Sequence, residues 1–336
     1  MQPMWRSLLQ ATACASALLS AACSSPADQA LDTRAKQVVY YLSQDPTTLK
    51  MRGIYLAPDG RELAYRQHRR RADVALVYLH GIESHGGWFD HAGDLLAGRG
   101  YDVYCLDRRG SGINRENRGF TSGHIESWEQ LREDVHAFMA PMREVYEHVF
   151  LVGLSWGGKE AVAYGLDHPE DADGLVLITP GLVAKVDAGL GDKLDVLVST
   201  AVAPERGVPI PIETDMFTTD PAWIELLESD PLRLHYGSAR FFWVSHAMDG
   251  MIADRIGENV LPMQLFLAGN DRIIDNPAVE ELLAQGAGPG LETILYEDET
   301  HSIQFDAPER LVEDMDRWLK AQVAQLRATQ VKESGS

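Results

Sequence analysis

His148-Val149-Phe150-Leu151-Val152-Gly153-Leu154-Ser155-Trp156-Gly157-Gly158 joins a strand to a helix through a serine. The run from His148 to Val152 is apolar without alternation, so both of its faces need cover, as in an inner strand of a parallel sheet. A helix-compatible stretch, Gly157 to Leu166, opens directly behind the serine. Gly153-x-Ser155-x-Gly157 at such a junction makes a sharp turn that lifts the serine above the sheet edge. Glycine suits these positions because a larger side chain would collide there. The helix N-terminus beneath the serine favours negative charge developing beside it. The five-residue pattern is weakly specific alone; the strand before it and the helix behind it carry the reading. The competing reading, a glycine-rich turn for tight packing, gives no reason for a serine at 155.

The same rhythm extends outward in both directions. Val74 to Leu79, Tyr101 to Leu106 and Leu175 to Ile178 are further apolar runs of strand length. Between the strands lie helical stretches, Trp88 to Gly98, Ser127 to Tyr146 and Gly157 to Leu166. Continuous apolar strands separated by helices predict an α/β fold, a mostly parallel central sheet with helices on both faces. Upstream, Met51 to Ala57 and Arg61 to Gln67 alternate around Pro58-Asp59-Gly60, which predicts a hairpin. The rhythm breaks at Thr179-Pro180-Gly181 and resumes at Met263 to Ala268. The interval is too long for a simple loop and predicts a mostly helical insertion over 181–261. A helix from Asn276, a strand over Leu291 to Tyr296 and a helix from Pro308 to Arg327 complete the pattern, with 51–180 and 262–328 as the core and a disordered tail at 329–336.

A serine hydroxyl is too weak an acid to attack an ester unaided, so it needs a base. On a sheet of this kind the partners follow in the order serine, acid, histidine. Of 11 histidines only His301 lies beyond the strand at Met263, in a loop ahead of the last helix. Asp271 is the first carboxylate after that strand end; Asp275 is the near rival, although Asn276-Pro277 beside it reads as a helix start. A tetrahedral intermediate also needs hydrogen-bond donors. The backbone N–H groups of Trp156 and of Ile82, in the loop after Leu79, are the candidates. His80 reads as a brace for that loop. His80, His85 and His91 fit no common zinc spacing, so no metal is expected, and the chemistry requires no cofactor. Arg108 and Arg109, in Asp107-Arg108-Arg109-Gly110-Ser111-Gly112, read as an ion-paired turn.

The 336-residue chain carries a formal net charge of −20, which disfavours nucleic acid as a partner. No stretch approaches the roughly 18 to 20 apolar residues of a membrane span. Arg6 followed by the apolar run Ser7 to Ala22 reads as a bacterial secretory signal over 1–22, so export is expected, to the periplasm or to a membrane. Ser20-Ala21-Ala22-Cys23 resembles a lipoprotein site at which Cys23 is lipidated and attaches the protein to a membrane; ordinary cleavage after Ala22 is the alternative. A linker and lead then occupy 23–50. Of the three cysteines only Cys105 lies in the folded part, where it reads as a small buried hydrophobe.

Taken in order, His80-Gly81, Asp107-x-x-Gly110-x-Gly112, Gly153 to Gly158, Asp271 to Asp275 and His301-Ser302 resemble the monoacylglycerol lipase and lysophospholipase branch of the α/β-hydrolases. This branch belongs with the S33-type serine hydrolases. The resemblance covers roughly Met51 to Leu319 and includes Pro209-Ile210-Pro211 and Asp230-Pro231-Leu232 within the insertion. It implies a cap over the serine and an ester hydrolase acting through an acyl-enzyme on a small-molecule or lipid ester, of monoacylglycerol or lysophospholipid type. The departures fall at His80 to Gly87, where the family reads H-G-x-x-E-H-S-G, and at Ser111 and Asn114, which replace a usual histidine and serine. They bear on substrate identity rather than on the chemistry. Most of the cap's aromatic residues are expected to pack it onto the core, with Phe217, Phe241 and Trp243 as the candidates for contact with an acyl chain. A short-chain esterase, a lactonase, an aminopeptidase-like hydrolase and a non-catalytic binding module are the alternative functions.

Overall fold

The computed structural model describes residues 39–42, 51–115, 123–185, 199–286, 288 and 290–334. The secretory signal expected over 1–22 and Cys23 lie outside the described residues, as does most of the lead expected before Met51. No helix among the described residues is long and apolar enough to cross a membrane.

Val74–Leu79 (β4) shows why the strands assemble as they do. Ala75, Val77 and Leu79 enter one apolar cluster while Leu76 and Tyr78 enter another, and all five are buried. The two clusters are therefore the opposite faces of one sheet, each sealed by helices. Around β4 the chain builds β1 (Val39–Leu42), β2 (Met51–Leu56), β3 (Glu62–His68), α1 (Asp90–Gly98), β5 (Asp102–Leu106), α2 (Trp128–Met142), β6 (His148–Leu154), α3 (Trp156–Asp167) and β7 (Leu175–Ile178). After the insertion come β10 (Met263–Ala268), α6 (Asn276–Ala284), β11 (Leu291–Tyr296), α7 (Ile303–Asp306) and α8 (Pro308–Ser334). The sheet order is β1-β2-β3-β5-β4-β6-β7-β10-β11. The six strands from β5 to β11 in that order run parallel, and β1, β2 and β3 are antiparallel additions at one edge.

The chain leaves β4 for β5 on one side and returns past β4 to β6 on the other. That reversal opens a crevice at the carboxyl ends of the neighbouring strands β4 and β6, the usual ligand position in an open parallel sheet. The loop at 80–85 and Ser155 both emerge there. The loops after β10 and β11 emerge at the same edge, because those strands run parallel to β6 through β7.

The hairpin forms as the alternation predicts, pairing Met51 with Gln67 and Leu56 with Glu62. Its turn puts Gly60 at φ +79°, a conformation that favours glycine. Two elements depart from the sequence reading. Between β7 and β10 the chain forms α4 (Pro221–Ser229) and α5 (Ala239–Arg255), but also a two-stranded ribbon of β8 (Gly207–Pro209) and β9 (Tyr236–Ser238). The last helix, expected to end at Arg327 ahead of a disordered tail, continues to Ser334. Neither glycine nor proline interrupts 309–334, and Gly335 follows, so nothing local stops the helix earlier.

Cys105 is buried and free, as a small hydrophobe would be. Beside it, His68 is buried between two carboxylates of α1, with Nδ1 2.6 Å from Asp94 Oδ1 and Nε2 3.1 Å from Asp90 Oδ1. Burial disfavours the imidazolium, but the bonds to Asp90 and Asp94 outweigh it and carry the ring from 6.5 up to about 11. A raised folded value stabilises fully below the unfolded one and loses its effect as pH climbs through the folded one. Stability supplied by His68 is therefore complete below pH 6.5 and gone by about pH 11. Urea unfolding should give a midpoint that falls from pH 7 to pH 10 more steeply in the wild type than in His68→Gln; equal slopes would mean that the ring is neutral.

Candidate active site

Ser155 stands between β6 and α3 at φ +53°, ψ −123°, a backbone state that a non-glycine residue holds only under constraint from its surroundings. The glycines flanking it supply that constraint. A Cβ on Gly157 would lie 2.2 Å from the Leu79 carbonyl oxygen, and one on Gly153 2.4 Å from that of Gly157. Only bare backbone lets α3 approach β4 and β6 closely enough to close the turn.

The Ser155 carbonyl accepts from the N–H of Gly158 at 2.8 Å and of Gly181 at 2.7 Å. In a trans peptide the N–H points opposite to the C=O, so the Trp156 N–H is aimed away from this pair and polarised by it. The Gly81–Ile82 peptide is treated alike. Its carbonyl accepts from His80 Nδ1 at 2.8 Å and from Ser84 Oγ at 3.3 Å, which directs the Ile82 N–H the other way. His80 Nε2 in turn accepts from the Arg108 N–H at 2.9 Å, fixing the neutral tautomer. Burial, and then the nearby Arg108 charge, hold His80 well below the usual imidazole range. Ile82, Ser84, Trp88, Phe217 and Ser302 share one narrow cavity with Ser155.

Asp271 and His301 meet above the carboxyl ends of β10 and β11. His301 Nδ1 lies 2.8 Å from Asp271 Oδ2, and both side chains are wholly buried. The other carboxylate oxygen accepts from the N–H groups of Ile273 at 2.8 Å and Ile274 at 3.0 Å. Burial raises the carboxyl, but the His301 charge and these hydrogen bonds outweigh it and leave Asp271 below the ordinary range. Thr179 Oγ1 donates to the His301 carbonyl at 2.9 Å. Because the Ser155 N–H donates to Ile178, next to Thr179, this bond ties the histidine loop to the serine turn. His301 Nε2 is buried with no hydrogen-bond partner among the described residues. The rival carboxylate is engaged elsewhere: Asp275 caps α6, accepting from the Ala278 N–H at 3.3 Å.

The three aromatic candidates separate. Phe217 lines the cavity, and its ring lies 6.0 Å from that of His301. Phe241 is buried against the Trp156 ring, 5.0 Å between centroids. Trp243 is 42% exposed and is not among the residues lining the cavity. The departures at Ser111 and Asn114 turn inward. Ser111 Oγ accepts from Arg108 Nη2 at 3.0 Å, and the Asn114 side chain bonds the backbone of Ala64 and Asp107. The two arginines of the turn divide. Arg109 pairs with Asp59 and Asp134, whereas the Arg108 guanidinium lies 4.4 Å over the Trp156 ring and donates to the Ile82 carbonyl at 3.1 Å. His85 and His91 face Asp230 and Glu309.

Sequence reasoning missed the pair Glu83 and Arg233. Both are buried, and Arg233 Nε lies 2.7 Å from Glu83 Oε2 across 150 positions of chain. No local pattern announces a contact of that span.

The profile of the family described as "Serine aminopeptidase, S33" matches residues 70–308. Among curated proteins, the chain is 23% identical over 252 residues to a monoacylglycerol lipase of Mycolicibacterium smegmatis, covering 73% of this chain and 87% of that protein. It is 25% identical over 244 residues to phospholipase YtpA of Bacillus subtilis, covering 71% and 92%. Among solved structures, the monoacylglycerol lipase of Paleococcus ferrophilus superposes with a TM-score of 0.69 at 19% identity, covering 78% of this chain and all of that one. A soluble variant of the Saccharomyces cerevisiae monoglyceride lipase gives 0.69 at 18%, covering 84% and 94%. With more than half of its length matched by the profile, and with this sheet order, the chain belongs to the serine aminopeptidase S33 family and has the α/β-hydrolase fold.

Proposed function

We propose that this carboxylic-ester hydrolase works through an acyl-enzyme on Ser155 and that its substrates are lipid esters of monoacylglycerol or lysophospholipid type. The observation that carries the reading is the buried Asp271–His301 pair, with the unpartnered Nε2 of the histidine, together with a serine held at positive φ whose cavity is also lined by Ser302, the residue after His301. Ser155 Oγ attacks the ester carbonyl and its proton passes to His301 Nε2, while Asp271 keeps the proton of the ring on Nδ1. The Ile82 and Trp156 N–H groups receive the charge on the carbonyl oxygen. His301 then protonates the departing alcohol, and water repeats the cycle to release the acid. The names of the relatives support a lipid substrate, and Phe217, which lines the cavity beside the serine, offers an apolar wall for an acyl chain.

The insertion at 181–261 acts in this reading as a cap, and the leader delivers the enzyme out of the cytoplasm to a membrane surface through a lipidated Cys23. One experiment addresses the nucleophile, the chain preference and the anchor. A fluorophosphonate probe should label Ser155 and no other residue, and labelling should be slowed most by esters of medium or long acyl chains. The labelled full chain expressed in a bacterium should partition into detergent, and its Cys23→Ala form into water. Label at another residue removes the mechanism. Competition by acetyl and butyryl esters alone moves the substrate to short esters, and label in the aqueous phase removes the anchor.

A further inference from the structure

The loop that follows β4 is held from the insertion as well as from the core. Its successive carbonyls at Gly81, Ile82 and Glu83 accept respectively from His80 and Ser84, from Arg108, and from the backbone N–H of Leu234 at 2.9 Å. Leu234 directly follows the turn Asp230–Arg233, two of whose side chains grip the same loop. Arg233 Nε and Nη2 each reach Glu83 Oε2 at 2.7 Å. Asp230 Oδ2 accepts from His85 Nε2 at 2.8 Å and from Trp88 Nε1 at 2.6 Å. Arg233 is itself fixed by Thr214 Oγ1 at 2.9 Å, and its guanidinium lies 5.5 Å over the Phe217 ring.

A buried ion pair is a poor device for stability, since apolar residues of like volume fill the space as well. Burial pushes the Glu83 carboxyl up to about 7 even against the pull of Arg233, so the pair is held at some cost. What two charge-assisted bonds to one oxygen do supply is a defined geometry. Glu83 lies next to Ile82 and on the wall of the cavity beside Ser155. A carboxylate free to turn there would oppose the negative charge that the carbonyl oxygen of the ester acquires.

We propose that the Asp230–Arg233 turn is a positioning element for the oxyanion-binding loop, with Arg233 acting through Glu83 to hold the Gly81–Ile82 peptide in place and to keep the carboxylate turned from the developing charge. The insertion then completes the site rather than only covering it. This rests on the reading of Ser155 given above.

The test compares Arg233→Lys, Arg233→Leu, Glu83→Gln and the double variant Glu83→Gln/Arg233→Leu. Arg233→Lys keeps the charge but not the planar fork, and serves where the leucine variant fails to fold. Well below each melting midpoint, kcat should fall by about 10- to 100-fold with KM little changed, the scale expected when a reacting geometry is misplaced. The double variant should be no worse than the worse single one, because both act through one contact. The inhibition constant of a trifluoromethyl ketone, which needs the oxyanion donors, should rise in proportion to the loss in kcat/KM. A purely structural role would lower the melting midpoint and leave that constant and kcat alone, which overturns the proposal, as does a double variant whose losses simply multiply. Ser155→Ala, run alongside, separates the two readings. Full activity in that variant removes the mechanism beneath the proposal, whereas an inactive Ser155→Ala beside fully active Arg233 and Glu83 variants removes only the positioning role.

Discussion

Ser155→Ala should lower kcat on any ester the enzyme hydrolyses by about 10⁵- to 10⁶-fold, the scale seen when a serine nucleophile is removed from an intact triad. The loss is confined to chemistry for a structural reason. Ser155 makes its turn through backbone bonds, its N–H to Ile178 and its carbonyl to Gly158 and Gly181. Alanine keeps all of them and adds no atom to a site where Ser155 is only 6% exposed. The two polarised peptides remain, so a residue of rate above the uncatalysed reaction should persist from the oxyanion donors and from binding. Stopped-assay hydrolysis, together with equilibrium binding of a non-hydrolysable ester analogue, checks this directly. Unchanged binding with lost turnover is the expected pair of results. Turnover retained at the level of the wild type would leave a family fold whose serine does not act as nucleophile.

How far the sequence could be read depends on the range over which each feature is encoded. The inner strands β4, β5, β6 and β7 are written as apolar runs because both of their faces are buried, and the serine turn is written in the glycines that let α3 meet β4. The pairing of Asp271 with His301 follows from strand ends and chain order, both of which survive without any knowledge of contacts. Features that depend on distant pairing leave no such trace. Val39–Leu42 becomes a strand only because Met51–Leu56 lies beside it. Gly207–Pro209 pairs with Tyr236–Ser238 although a glycine and a proline within three residues argue against a strand. The aromatic candidates show the same limit at the level of one helix. On α5, Phe241, Val244, Met248 and Ile252 are buried at helical spacing, and Trp243 falls outside that stripe, which is why it faces solvent. Counting aromatic residues cannot separate Phe241 from Trp243; placing them on the helix does.

Asp271→Asn should lower kcat by about 10⁴-fold with little change in KM, and the reason is written in the hydrogen bonds of the carboxylate. One oxygen receives two backbone N–H groups, from Ile273 and Ile274, and the other faces His301 Nδ1. An asparagine in this slot must turn its own oxygen to the two N–H donors, which leaves its NH₂ group facing the histidine. Nδ1 then has to accept, the proton of the ring moves to Nε2, and the nitrogen that takes the proton of Ser155 in the proposed mechanism already carries one. Asp275→Asn, by contrast, should be nearly silent, since Asp275 caps α6 and asparagine caps a helix about as well. Near-normal turnover in Asp271→Asn together with a large loss in Asp275→Asn would transfer the role to the rival carboxylate. Burial raises the Asp271 carboxyl, and the His301 charge and the two amides more than offset it, so its folded value is depressed. A depressed value means that the ionised form, and the stability it brings, persist above the unfolded value and fail only as pH falls through the folded one. Asp271 therefore stays ionised, and keeps its hydrogen bonds to the histidine and the two amides, below the pH at which an ordinary aspartate would be protonated.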